Sequence, residues 1–166
     1  IANAHDLASN AYGLLRDFKA MLPHASRALR LAELLAQRRP DAYYANFGAQ
    51  SRAWHGYALL RTGDVEPGLQ ELRKAREDVE AQGAKQEFSE SFRRNRVIIT
   101  AVQALAFAAW SQEATTPVAE RRNRLTKAED YLAEAEEFSR SIKSTTGALP
   151  AARTEVARAR EMLPSR

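Results

Sequence analysis

The sequence predicts an all-α protein: antiparallel helical hairpins stacked as a short solenoid of about seven helices. Three observations carry the class. Ala, Leu, Arg and Glu dominate the chain, and these are strong helix formers. Apolar residues recur at helical spacing along nearly the whole length. Long β-branched runs are absent, and many of the seven Gly and six Pro fall where helices are expected to end.

A first helix is predicted over 2–15, where Ala4, Leu7, Ala8, Ala11, Leu14 and Leu15 share a helical repeat. Asp17 caps a second helix that runs to about Arg38, with Pro23 in its early turns. Pro40 ends it, and Asp41 caps a third over about 41–61. That helix places Tyr44, Phe47, Ser51, Trp54 and Ala58 on one stripe. Gly63 closes it in the left-handed conformation that glycine tolerates. A fourth helix, 65–82, begins after Asp64, buries Leu69, Leu72, Ala75 and Val79, and is expected to stop at Gly83. A fifth runs from about Phe88 to Glu113 and a sixth from about 119 to 144, with loops at 113–118 and 144–149. Pro150 opens a last helix that fades near Leu163. One domain results, with hairpins at about 2–38, 41–82 and 88–144 and a terminal helix at about 150–163.

Composition narrows the function. At 166 residues the chain is one domain by size, with 45% apolar and 28% charged residues. Cysteine is absent, which removes disulfides, thiolate metal sites and cysteine nucleophiles, and fits a cytoplasmic protein. The longest apolar stretch, 97–110, is too short to span a bilayer and reads as a buried core helix. The first residues lack a leader pattern, and the chain is expected to be a piece of a longer protein. Net charge is +4, with twenty Arg against five Lys, but acidic residues are interspersed throughout.

No nucleotide-binding motif is present, and no nucleophile elbow. His5, His24 and His55 are too scattered for a metal motif. The adjacent pairs Glu129-Asp130 and Glu136-Glu137 point to different helix faces. Neither an enzyme nor a cofactor nor a metal is expected.

The stretch HGYALLRTGDVEPGLQELRKA, 55–75, resembles a tetratricopeptide repeat. Gly56, the Gly63-Asp64 turn, Gly68 and Ala75 stand at the small and turn positions of that family, and Leu72 at a large apolar one. Arg52, His55 and Leu59 depart from it. The resemblance is specific over 51–79 and looser over 7–37, where Arg16 replaces the turn Gly. Beyond that it is weak, and the 47 residues from Ala28 to Ala75 exceed the usual period of about 34. The other reading is a plain antiparallel helical bundle. The phrase GLQELRKAREDVEAQGA also resembles helical-repeat regions of large bacterial regulators.

The resemblance implies a concave groove lined by the first helix of each hairpin. On that basis Gln50, Ala53, Trp54, Tyr57 and Arg61 face it, with Asp6 and Asn10 from the first hairpin. Tyr, Trp and Arg are enriched at binding hot spots, although the same rings could pack between hairpins. Asp6 stands where some members of the family carry a carboxylate-gripping Lys, so a C-terminal carboxylate clamp is not expected. The candidate anion-binding clusters are Arg93, Arg94 and Arg96, and Arg121, Arg122 and Arg124, near helix starts. Their alternative is pairing with Glu87, Glu90, Glu113 and Glu120. The leading expectation is a non-catalytic interaction or regulatory scaffold module that binds a protein or peptide, without a membrane role. A nucleic-acid-binding repeat and a small-molecule sensor are the alternatives. Self-association through the end of the stack is a further expectation.

Overall fold

The computed structural model describes residues 1–86, 90–140, 142 and 147–164, with only the backbone described at 42 and 83–86. Among these residues the chain forms seven α-helices and no strand: α1 (Ala2–Leu14), α2 (Phe18–Arg38), α3 (Ala42–Thr62), α4 (Val65–Gln86), α5 (Glu90–Trp110), α6 (Val118–Ser139) and α7 (Ala148–Glu161).

Local chemistry sets most of the boundaries. Asp17 accepts a hydrogen bond from the Ala20 N–H at 3.1 Å, and Asp41 accepts one from the Tyr44 N–H at 3.1 Å. Each carboxylate thus satisfies an orphan donor at a helix start. Gly63 closes α3 at φ 103°. Pro23 is the sixth residue of α2 and leaves the Lys19 carbonyl without its helical donor, but Lys19 is exposed and water can serve it.

Four boundaries differ from the sequence expectation. α4 continues through Gly83 to Gln86. Glycine permits a helix stop but does not impose one, and the Ala-Lys-Gln that follows favours helix. α5 ends at Trp110 rather than near Glu113, and α6 ends at Ser139 rather than near 144. α7 begins at Ala148, so Pro150 sits in its first turn, where the missing N–H is not needed. The expected start at Phe88 and most of the loop at 144–149 lie outside the described residues.

The helices form two rows. In the inner row α1, α3, α5 and α7 lie side by side, α1 touching α3 only lightly. In the outer row α2, α4 and α6 each pack on the preceding inner helix. This row-on-row packing fits helical-repeat folds in general. At the α3–α4 crossing a Cβ on Gly56 would come within 2.8 Å of the Gly68 carbonyl. The two backbones are in contact there, and only glycine allows it. Ion pairs lace the outer surface. Arg52 reaches Glu33 of α2, and Glu71 and Asp78 of α4, at 2.8–3.1 Å. Arg76 of α4 forks onto Glu134 of α6 with both bonds at 2.8 Å. Arg52 is one of the departures from the repeat pattern, and it joins helices by charge where an apolar residue would join them by packing.

From Val97 to Ala106 α5 is buried around its whole circumference, with consecutive residues all buried. This confirms the core helix expected from the apolar run.

The α1–α2 turn is tied to the far end of the chain. Arg16 has φ 62°, the left-handed region usually left to glycine. Its guanidinium donates two bonds of 3.2 Å to Glu155 of α7, which is buried and also accepts from Gln112 at 2.8 Å. Arg16→Gly should relieve about 1 kcal/mol of backbone strain but strand a buried carboxylate. A net loss of about 2 kcal/mol is expected in urea unfolding. Adding Glu155→Gln should recover most of it; no recovery would show that the ion pair is not the cause.

Candidate ligand cleft

The four inner helices enclose a cleft of about 370 Å³. α1 contributes Asp6, Leu7, Asn10 and Leu14, and α3 contributes Tyr43, Phe47, Gln50 and Trp54. α5 adds Ser91, Arg94, Asn95 and Ile98, and Gly147 and Ala148 at the start of α7 close one edge. The spacings explain the convergence. Residues 43, 47, 50 and 54 form one stripe of α3, and 91, 94, 95 and 98 one stripe of α5.

The polar centre is Asp6, which is only 6% exposed. Its carboxylate accepts from Gln50 Nε2 at 2.9 Å, Asn10 Nδ2 at 3.4 Å and Ser51 Oγ at 3.4 Å. Burial pushes its pKa up to about 6, and the three donors only partly oppose that. No Lys, Arg or His of the described residues forms an ion pair with it.

Other polar groups around the cleft are also unsatisfied. Trp54 Nε1 and Asn10 Oδ1 are buried without a hydrogen-bond partner. Asn95, 9% exposed, lines the same cleft. Arg94 is exposed and forms no ion pair among them. The rim is apolar: Leu7, Leu14 and Tyr43 are each more than half exposed.

Of the residues expected in a groove, the structure brings Asn10, Gln50 and Trp54 together with Asp6, and adds Arg94 from the first arginine cluster. Tyr57 and Arg61 lie elsewhere. Tyr57 is buried, with Phe18 edge-on at 5.4 Å, and burial raises its hydroxyl pKa well above the usual value. Arg61 places its guanidinium 4.5 Å over the other side of this contact, the Phe18 ring. Ala53 is fully buried. The groove reading left out Leu7, Leu14, Tyr43, Phe47, the α5 stripe, and Gly147 and Ala148. The i, i+4, i+7, i+11 spacing on α3 was the available signal.

The arginine clusters do not share a face. Arg96 stacks on Phe138 at 3.8 Å, while Arg93 is half-buried with Nε unpartnered. The second cluster is spent on the fold. Arg121 donates to the carbonyls of Ser111 at 2.8 Å and Met162 at 3.3 Å, and Arg122 to that of Pro164 at 3.0 Å. Arg124 lies 3.7 Å over Trp110 and pairs with Glu113 at 2.9 Å and Glu120 at 2.6 Å. No ion pair joins Glu90 to the first cluster, and Glu87 lies outside the described residues.

His5 and His24 meet through their Nδ1 atoms at 3.1 Å, with Tyr12 stacked on His24. Among the described residues no group of three or more His, Cys, Asp or Glu is arranged to hold a metal ion. No helix among them is long and apolar enough to cross a membrane. No protein-family model matches the chain, and comparison with curated proteins and with solved structures returned no similar protein.

Proposed function

We propose that the chain is a non-catalytic binding module of tetratricopeptide-like design, which holds a peptide segment of a partner protein in the inner-row cleft. One observation carries the reading. A single concave site, built from all four inner helices, combines an exposed apolar rim with buried polar groups that have unused hydrogen-bonding capacity. Buried polar groups are normally satisfied, so an unsatisfied set around an open cleft is what a ligand would complete. Leu7, Leu14 and Tyr43 would anchor apolar side chains of the segment. The repeat resemblance over 51–79 supports the same reading, and a regulatory role follows if the module belongs to a larger regulator.

The test is selection of random twelve-residue peptides displayed on phage, with Ser91→Trp as the blocked control. Ser91 is exposed at the cleft, so the indole fills the site without entering the core. Recovered peptides are expected to bind the blocked protein at least about tenfold more weakly, a difference of about 1.4 kcal/mol. Recovery of no peptide, or equal binding to both proteins, overturns the proposal.

A further inference from the structure

Asp6 is a buried carboxylate whose hydrogen-bond partners among the described residues are neutral donors: Gln50, Asn10 and Ser51. Buried charges in folded proteins are normally paired with an opposite charge. Among the described residues no cation supplies the pairing, although Arg94 lines the same cleft. A carboxylate has about four lone-pair positions, and three are engaged, so one acceptor position remains. Beside it Asn10 Oδ1 is a second acceptor without a donor. The remaining walls are aromatic: Tyr43, Phe47 and Trp54 line the same space. Aromatic rings attract cations through their quadrupole, more strongly where water is excluded. A buried carboxylate and three rings make a receptor for an organic cation, and they disfavour an anion at the same place.

We infer that the occupant of the cleft presents an ammonium or guanidinium group to Asp6, carried on an apolar body that lies against Tyr43 and Phe47. This rests on the peptide-binding reading above. In a peptide the cation is a Lys or Arg side chain or a free N-terminus; in a free ligand it is an alkyl or aralkyl amine.

The chain has two tryptophans, so the ¹⁵N-labelled protein shows two indole N–H resonances, and Trp110→Phe assigns them. Phenethylamine and its anionic counterpart, 3-phenylpropionate, are titrated separately into the wild-type protein. Phenethylamine is expected to shift the Trp54 indole resonance saturably, and 3-phenylpropionate to leave it in place. Asp6→Asn should weaken the amine at least tenfold. An equal response to both compounds, a response to neither, or full amine binding by Asp6→Asn overturns the inference. The comparison of amine with carboxylate needs only the wild-type chain, so it stands even if Asp6→Asn does not fold. The two proposals fail separately. Peptides selected by display that bind without a basic group and independently of Asp6 overturn the cation assignment and leave the peptide module intact. Amine binding through Asp6 with no peptide recovered supports the cation site and overturns the peptide reading in favour of a free amine.

Discussion

Gly68→Val is expected to lower the unfolding free energy by about 3 kcal/mol. A Cβ at this position would stand 2.8 Å from both the Gly56 carbonyl oxygen and the Leu60 amide nitrogen. Both atoms belong to helix backbone, so neither can swing aside as a flexible side chain would. α3 and α4 would have to separate, and Leu72 and Leu60 would lose their packing at the crossing. Gly48→Ala is the matched control. Gly48 lies inside α3, and an added Cβ there meets nothing within 4 Å. The helix gains propensity without a clash, so stability should rise by about 0.5–1 kcal/mol. Urea unfolding of both variants measures this. Similar changes in the two would show that glycine acts here through propensity alone, not through contact between the helices.

The second large effect is electrostatic. The Asp6 carboxyl titrates near 3.8 when unperturbed and at about 6 in the folded protein, because burial penalises its charge. Below about pH 4 it is protonated in both states and costs nothing. Between about pH 4 and 6 the unfolded chain loses the proton first, so the folded state binds more protons and stability falls as pH rises. Above about pH 6 the loss is complete, at about 3 kcal/mol. Asp6→Asn cannot titrate. The stability of the wild-type protein relative to this variant should therefore drop by about 2.5 kcal/mol between pH 4 and pH 7.5. Chemical unfolding at the two pH values measures it, and a constant difference would mean that the carboxyl is not desolvated.

Much of the fold was legible because its determinants are local. Asp17, Asp41 and Gly63 act within one turn of their own position, and each marks a boundary that the structure contains. Gly83 misled for the same reason: glycine reports what the backbone can do, and the residues after it decided that the helix continues. The repeat resemblance put Arg16 at the turn-glycine position, where the left-handed backbone does fall, but what holds a non-glycine residue there was not legible. Its backbone is held by a partner 139 residues away, Glu155, and local sequence carries no trace of that.

The cleft was half legible. The repeat resemblance placed Gln50, Trp54, Tyr57 and Arg61 of α3 in one groove. It does not remain open along its length. Phe18, at the start of α2, packs on both Tyr57 and Arg61 and covers the groove beyond Trp54. Which part of a helix face stays uncovered is decided by a neighbouring hairpin, and periodicity within one helix cannot report it. The contribution of α5 was hidden in a different way. Ser91, Arg94 and Asn95 precede the apolar run that marks α5 as core, so their helix read as interior while its first turns face the cleft.

The all-round burial of α5 bears on how the chain is made. Half of its covering, α6 and α7, lies downstream of it. During synthesis α5 leaves the ribosome with α1–α4 already available, but about fifty further residues must be added before α7 is complete. At about 5–20 residues per second this interval lasts roughly 3–10 seconds. Until α6 emerges, the stretch from Val97 to Trp110 lacks its downstream cover, and Phe107 lacks the Tyr131 ring of α6 that it meets at 5.5 Å. A nascent chain arrested once residue 117 has emerged from the ribosome should therefore recruit chaperones strongly, and one arrested with α7 fully emerged should not.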